Sequence, residues 1–188
     1  MTVGVLLLAA GSSRRFGSDK RLALLPDGRP LLLAAVDTVL RSHLPLLVCL
    51  RPGDDILRER LLAAGVAVLE CPRASRGMGA TLAEAVAQLT GWQGLLVALG
   101  DMPRIQPDTF RQVAAVLSDD VIVTPTFQGQ SGHPVGFGRG FFPALARLDG
   151  DVGARDLVSG AGSARQWLPL ADPGILRDVD FPLDLQQP

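Results

Sequence analysis

Two spacings of apolar residues alternate along this chain. Residues 3–8, 46–50, 66–69, 95–99 and 121–124 are short runs rich in Val and Leu with little or no polar alternation, as expected of strands covered on both faces. Between them, residues 30–41, 54–64, the stretch from the loop at 71–81 to about 89, and 107–117 repeat their apolar positions at helical spacing. Pro30 suits a first helical turn and Gly65 a helix C-terminus. Strands alternating with helices predict an α/β fold, a mostly parallel central sheet with helices on both faces, and ligands in such sheets sit beyond the carboxyl ends of the strands. Residues 128–138 read as a small-residue loop, 150–158 as a helix start, and 166–170 as a late strand. With no internal repeat, low-complexity tract or linker, residues 1–188 are expected to form a single domain whose tail frays at Gln186–Pro188.

The loops at that sheet edge carry the chemistry. The first apolar run breaks into Ala9-Ala10-Gly11-Ser12-Ser13-Arg14-Arg15-Phe16-Gly17-Ser18-Asp19-Lys20. Small residues let backbone N–H groups approach an anion, and Arg14, Arg15, Lys20 and Arg21 add positive charge, which suits a polyphosphate. The same residues would also serve as a tight turn with solvated basic side chains. Neither common nucleotide motif is present: five residues separate Gly11 from Gly17 and Ser18 follows, while Gly77-Met78-Gly79 lacks a third glycine at Leu82. A second glycine-bearing loop, Cys71 through Thr81, opens a helix whose N-terminus could meet an anion or a polar base, or could be a plain strand-to-helix connection. Gly11, Gly77 and Asp101 all fall at the carboxyl edge of the expected sheet, and that convergence favours phosphate binding.

Composition narrows the partners. The chain has 18 Lys+Arg against 19 Asp+Glu, a net charge of −1, which argues against general binding to nucleic acid or anionic membranes. No apolar stretch approaches the ~20 residues of a membrane span, and no basic segment precedes the first apolar run, so a cytoplasmic protein is expected. Cys49 and Cys71 read as reduced core thiols.

Asp101 follows an apolar run directly, within Gly100-Asp101-Met102-Pro103, where a carboxylate could hold a divalent cation near phosphates; Mg²⁺ takes one or two such carboxylates. Asp178 or Asp180, two residues apart on one side of an extended segment, could supply the second. Capping roles and a solvated pair are the alternatives. His133 could be a base, a ligand contact or a structural imidazole, and no Gly-x-Ser-x-Gly elbow supports a serine hydrolase.

Four segments together resemble the nucleotidyltransferase family that activates the molybdenum cofactor: Leu8 to Gly11 continuing through Ser13, Arg15, Gly17 and Lys20; Gly77 to Thr81; Gly100 to Pro103; and Gly132-His133-Pro134 with Asp178-Val179-Asp180. The resemblance spans residues 3 to about 182 and implies a three-layer Rossmann-like nucleotidyltransferase fold. Ala9-Ala10-Gly11 is similar to the cytidylyltransferase branch, whereas guanylyltransferases usually carry Ala-Gly-Gly. What the resemblance implies is Mg²⁺-dependent transfer of CMP from CTP to the phosphate of molybdopterin with release of pyrophosphate. The product would pass to a molybdoenzyme or its maturation factor. It further implies catalytic roles for Arg15, Lys20 and Asp101, and nucleotide contacts from Ala9, Ala10, Gly11, Ser13, Arg15, Lys20, Ser75, Gly79 and Thr81. Asp101 and Asp180 would hold the metal and His133 would face the acceptor. Use of GTP, another phosphorylated acceptor such as a sugar phosphate, and a non-catalytic cofactor-maturation role are the rival readings. The family's closing motif usually continues Asp-Thr-Pro-x-Asp; this chain has Asp180-Phe181-Pro182-Leu183-Asp184.

Overall fold

The computed structural model describes residues 1–13 and 16–186. Its frame is one sheet of eight strands: β1 (Val3–Leu8), β2 (Leu46–Leu50), β3 (Ala67–Glu70), β4 (Gly94–Leu99), β5 (Ile122–Phe127), β6 (Gln130–Ser131), β7 (Val135–Gly138) and β8 (Arg165–Pro169). The order is β3-β2-β1-β4-β7-β5, with β6 and β8 both paired to β5. The β1–β2, β1–β4, β2–β3 and β5–β8 pairs are parallel, and β7 runs antiparallel to both β4 and β5. The helices are α1 (Leu31–Leu40), α2 (Asp55–Ala63), α3 (Met78–Gln88), α4 (Pro107–Ala115), α5 (Phe142–Leu145) and α6 (Arg155–Gly160).

β1 shows why the uninterrupted apolar runs mattered. All six of its residues are buried. Val3, Val5 and Leu7 join a core with residues of α1, α2 and α4, while Leu6 and Leu8 join a second core with residues of α3 and α5. Alternate residues of a strand point to opposite faces, so a strand sandwiched between helices has no use for polar positions. Gly4 is required on the second face, because a Cβ there would lie 2.4 Å from the Trp92 ring. Gly65, with φ +73, ends α2 as expected of a helix-terminating glycine.

The chain runs outward from β1 through β2 to β3, then returns to place β4 on the other side of β1. That reversal opens a crevice beyond the carboxyl ends of β1 and β4, the place where open α/β sheets bind ligands. One expectation needs correction. Residues 128–138 are not simply a loop: they contain β6 and β7, and β7 fills the sheet between β4 and β5. Gly132-His133-Pro134 interrupts this arm, and the register to β5 shifts by two residues across it, from Thr126↔Ser131 to Val123↔Gly136. The glycines permit tight packing: a Cβ on Gly138 would lie 2.0 Å from the Ser118 carbonyl oxygen, and one on Gly136 3.1 Å from Val113. None of the described helices is long and apolar enough to cross a membrane.

Candidate active site

A cleft of about 810 Å³ occupies the crevice. Ala9, Ala10, Gly11, Ser13, Lys20, Ser75, Thr81, Asp101 and Asp180 all line it, joined by Arg21, Arg51 and Asp151. Residues far apart in the chain therefore meet around one space.

The first loop is held from below by arginines. Ala9 N–H donates to the Cys49 carbonyl at 3.0 Å, and the Ala9 carbonyl accepts from Arg21 Nη1 at 2.8 Å. The Gly11 carbonyl accepts from Arg51 Nη1 at 3.2 Å. Ser13, in the left-handed region at φ 51, accepts the Lys20 N–H on its Oγ at 3.3 Å. Among the described residues the N–H groups of Ala10, Gly11 and Ser12 have no hydrogen-bond acceptor, and all three residues line the cleft. Such runs bind anions. Arg15, assigned to the triphosphate on sequence, lies outside the described residues.

Arg21 is the anchor of this end. It is only 4% exposed, yet its guanidinium donates to both oxygens of Asp19 and both of Asp54. Burial opposes its charge, but the two carboxylates outweigh burial and raise its pKa. Asp54, from the β2–α2 connection, also accepts from Arg51 Nε at 3.1 Å. The sequence reading put Arg21 beside the phosphate as spare charge. Its real partners are these acids, which tie the first loop to the end of β2. The sheet-edge rule that singled out Gly11 and Asp101 would have flagged Arg51 and Asp54 as well, since both follow β2 immediately.

The chemical centre is built on the end of β4. Gly100 N–H donates to the Leu8 carbonyl at 2.9 Å, and a Cβ on Gly100 would lie 2.9 Å from Leu32 and 3.1 Å from Ala9 Cβ. Asp101 follows at the cleft floor. Its carbonyl accepts Val179 N–H at 3.0 Å, so the closing segment is docked directly onto β4. The Lys20 ammonium then uses three acceptors: Asp101 Oδ2 at 2.7 Å, the Val179 carbonyl at 2.7 Å and Asp180 Oδ1 at 3.2 Å. Burial alone would lower the Lys20 pKa; Asp101 and Asp180 reverse the sign and raise it. Asp101 Oδ1 is buried and has no hydrogen-bond partner among the described residues. A buried carboxylate oxygen without a donor is costly unless a cation meets it, and Lys20 shows that Asp101 and Asp180 can share one positive charge. These residues fit a hard divalent cation of the Mg²⁺ or Mn²⁺ type, which takes one or two protein carboxylates and leaves its other positions to water and phosphate. Among the described residues no group of three His, Cys, Asp or Glu side chains is placed to make a fuller cage.

Other predicted residues sit elsewhere. Asp180, not Asp178, meets Lys20; Asp178 is exposed and its charge acts on His133, so the two do not act as one pair. Gly79 is off the cleft wall: its N–H donates to the Gly150 carbonyl at 2.7 Å, and a Cβ there would be 2.9 Å from two carbonyl oxygens. It is a packing glycine that seats the 149–151 turn on α3. Thr81 lines the cleft with its hydroxyl donated to the Gly77 carbonyl at 3.0 Å. Asp151, whose Oδ1 would be 2.1 Å from a Cβ on Gly77, is a cleft residue that the sequence placed only in a helix start.

His133 lies beside the centre rather than on the cleft wall. Its N–H donates to the Ile175 carbonyl at 3.0 Å, and its Nδ1 is 3.4 Å from the Val97 carbonyl. Burial lowers its pKa below the usual 6.5, only partly countered by the Val97 carbonyl and by Asp101 and Asp178. Between the folded and unfolded pKa values the unfolded chain binds more protons, so stability rises with pH there. The contribution is complete above about 6.5 and falls as pH drops through that value. Melting temperature followed across this range should decline on acidification more steeply in the wild type than in His133→Gln.

Comparison with known proteins agrees with this geometry. Residues 5–166 match the family described as the MobA-like NTP transferase domain. The chain is 31% identical over 191 residues to the purine catabolism protein PucB of Bacillus subtilis (strain 168), covering 96% of this chain and 92% of that protein. It is 32% identical over 196 residues to a probable molybdenum cofactor guanylyltransferase of Synechococcus elongatus, covering 99% and 97%. Among solved structures, Rv0371c of Mycobacterium tuberculosis H37Rv superposes with a TM-score of 0.83 at 29% identity over 98% of this chain and 95% of that one. The manganese complex of that protein superposes at 0.75 with 26% identity over 100% and 94%. The family match covers most of the chain, and relatives above 30% identity are covered nearly end to end: the chain belongs to the MobA-like NTP transferase family.

Proposed function

We propose that this nucleotidyltransferase moves CMP from CTP to the terminal phosphate of a molybdopterin-type acceptor in the cytoplasm. An oxygen of the acceptor phosphate forms a bond to the α-phosphorus, the bond from that phosphorus to the β-phosphate bridging oxygen breaks, and pyrophosphate leaves. No protein nucleophile is needed, because transfer at phosphorus depends mainly on alignment and charge neutralisation. The observation that carries the reading is the meeting of the first loop, Asp101 and Asp180 at the Lys20 ammonium.

In this reading the N–H groups of Ala10, Gly11 and Ser12, with Ser13 and Arg15, cradle the β- and γ-phosphates. Lys20 brings positive charge to the side where pyrophosphate gathers negative charge. Asp101 and Asp180 hold Mg²⁺, which when bound neutralises phosphate oxygens and acts as a Lewis acid. Ser75 and Thr81, at the α3 end of the cleft, approach the base, with Gly79 supporting that end from behind. His133, beside Asp101 and neutral at pH 7, faces the acceptor side. Ala10 favours cytosine over guanine by occupying space that Ala-Gly-Gly loops leave open.

The Synechococcus relative's description as a probable guanylyltransferase favours a second reading, GTP in place of CTP. Pyrophosphate release measured with each nucleoside triphosphate and molybdopterin separates them. CTP should support turnover at least about tenfold better than GTP, roughly the discrimination a small steric difference gives. Equal rates, or a preference for GTP, would remove the cytidylyl assignment while leaving the transferase.

A further inference from the structure

The closing segment must present Asp180 to Lys20, yet little apolar packing holds it there. Val179 is fully buried, but residues 182–186 contain no buried side chain, and Phe181 and Leu183 are 53% and 78% exposed. What orders the turn is polar. Asp184 Oδ2 accepts the N–H of Asp180 at 3.0 Å and of Phe181 at 2.7 Å, and Arg104 Nη2 donates to the carbonyls of Asp184 and Leu185 at 3.2 and 3.1 Å. Pro182–Gln186 is a short 3₁₀ helix. Phe181 stands at its N-cap, Pro182 at its first position and Asp184 at its third. An acid at the third position reaching back to the N-cap N–H is one half of a capping box. The donor that the other half would use, the N–H of Asp184, is given instead to the Phe181 carbonyl at 3.0 Å.

We propose that Asp184 is a positioning residue for Asp180, a side-chain cap fixing the turn that carries this carboxylate to the Asp101–Lys20 centre. The inference rests on the reading of Asp101 and Asp180 as the cation-holding pair. Asp184 acts through two backbone N–H groups and needs only an acceptor oxygen, not a negative charge. Because the contacts are to backbone, they are indifferent to the side chain at position 181.

The test is Mn²⁺ binding to the full chain, followed by electron paramagnetic resonance, with melting temperature measured alongside. Asp184→Ala should weaken Mn²⁺ binding about tenfold, within the range for loss of a group that orients a metal ligand. Asp184→Asn, which keeps the acceptor, should stay within about threefold of wild type. The proposal is overturned if Asp184→Ala binds like wild type, or if Asp184→Asn loses as much as Asp184→Ala, which would make Asp184 a ligand itself. Should wild type bind no Mn²⁺, or Asp101→Asn bind it unchanged, the pair itself is misread and the proposal goes with it.

Discussion

Asp101→Asn should abolish pyrophosphate release by a factor of about 10³ or more while leaving the fold intact. The substitution keeps shape but removes the charge at the end of β4, and several kcal/mol of transition-state stabilisation is the usual contribution of a metal held there. The expected stability change is small and opposite in spirit. The wild-type side chain has one buried oxygen with no donor among the described residues, and a bound cation offsets its cost. Loss of the Lys20 pair is cheap, since both side chains keep some exposure, 15% and 22%. Melting temperature in the absence of cation should therefore stay within about 4 °C of wild type, and circular dichroism should be unchanged. Turnover within tenfold of wild type would show that the acid at this position does not serve the reaction.

Arg21→Leu should have the largest effect on stability. The guanidinium is held by Asp19, Asp54 and the Ala9 carbonyl, and its removal leaves Asp54, with a side chain only 8% exposed, without its main counter-charge. Breaking a buried pair by removing one partner costs roughly 3–5 kcal/mol. Arg51 remains on Asp54 and Asp19 is part-exposed, which puts the expected loss near the lower end, about 3 kcal/mol, or roughly 6–12 °C in melting temperature for a chain of this size. Nucleotide affinity should fall with it, because the Ala9 carbonyl loses the bond that holds the first loop. Thermal melts and calorimetric titration with CTP read the two effects separately. A melting temperature within about 2 °C of wild type would mean the cluster adds little to the native state.

These expectations show how unevenly the molecule was legible in its sequence. β1, β2 and β4 were plain because strands buried on both faces leave no polar positions, and α1 to α4 because each buries one side against the sheet; α5 was not foreseen, and α6 buries no residue. Gly11 and Asp101 could be placed together by topology alone: both follow strands whose carboxyl ends share an edge. β7 was hidden. Val135-Gly136-Phe137-Gly138 carries glycines where α4 and the turn at 118–119 come close, and glycine in a run ordinarily argues against a strand. The alternation of Val135 and Phe137 with glycine was the signal available.

Side-chain pairing was the harder layer. Sequence offered Arg21 as phosphate charge, but Asp19 and Asp54 claim it, and nothing local announces a partner 33 positions away. Asp178 and Asp180 share one spacing, with Asp180 the favoured acid; the structure puts Asp180 Oδ1 3.2 Å from the Lys20 ammonium and leaves Asp178 exposed. Gly79 read as a glycine for ligand approach and serves the backbone of residues 149–150 instead. In each case a long-range contact settled a choice that local chemistry left open.

Anomalous diffraction from a crystal soaked with Mn²⁺ and CTP tests the central claim most directly. The account predicts one strong manganese peak coordinated by the Asp101 and Asp180 carboxylates, with the triphosphate lying along residues 10–13. A peak at any other site, or a triphosphate bound away from the first loop, would contradict it.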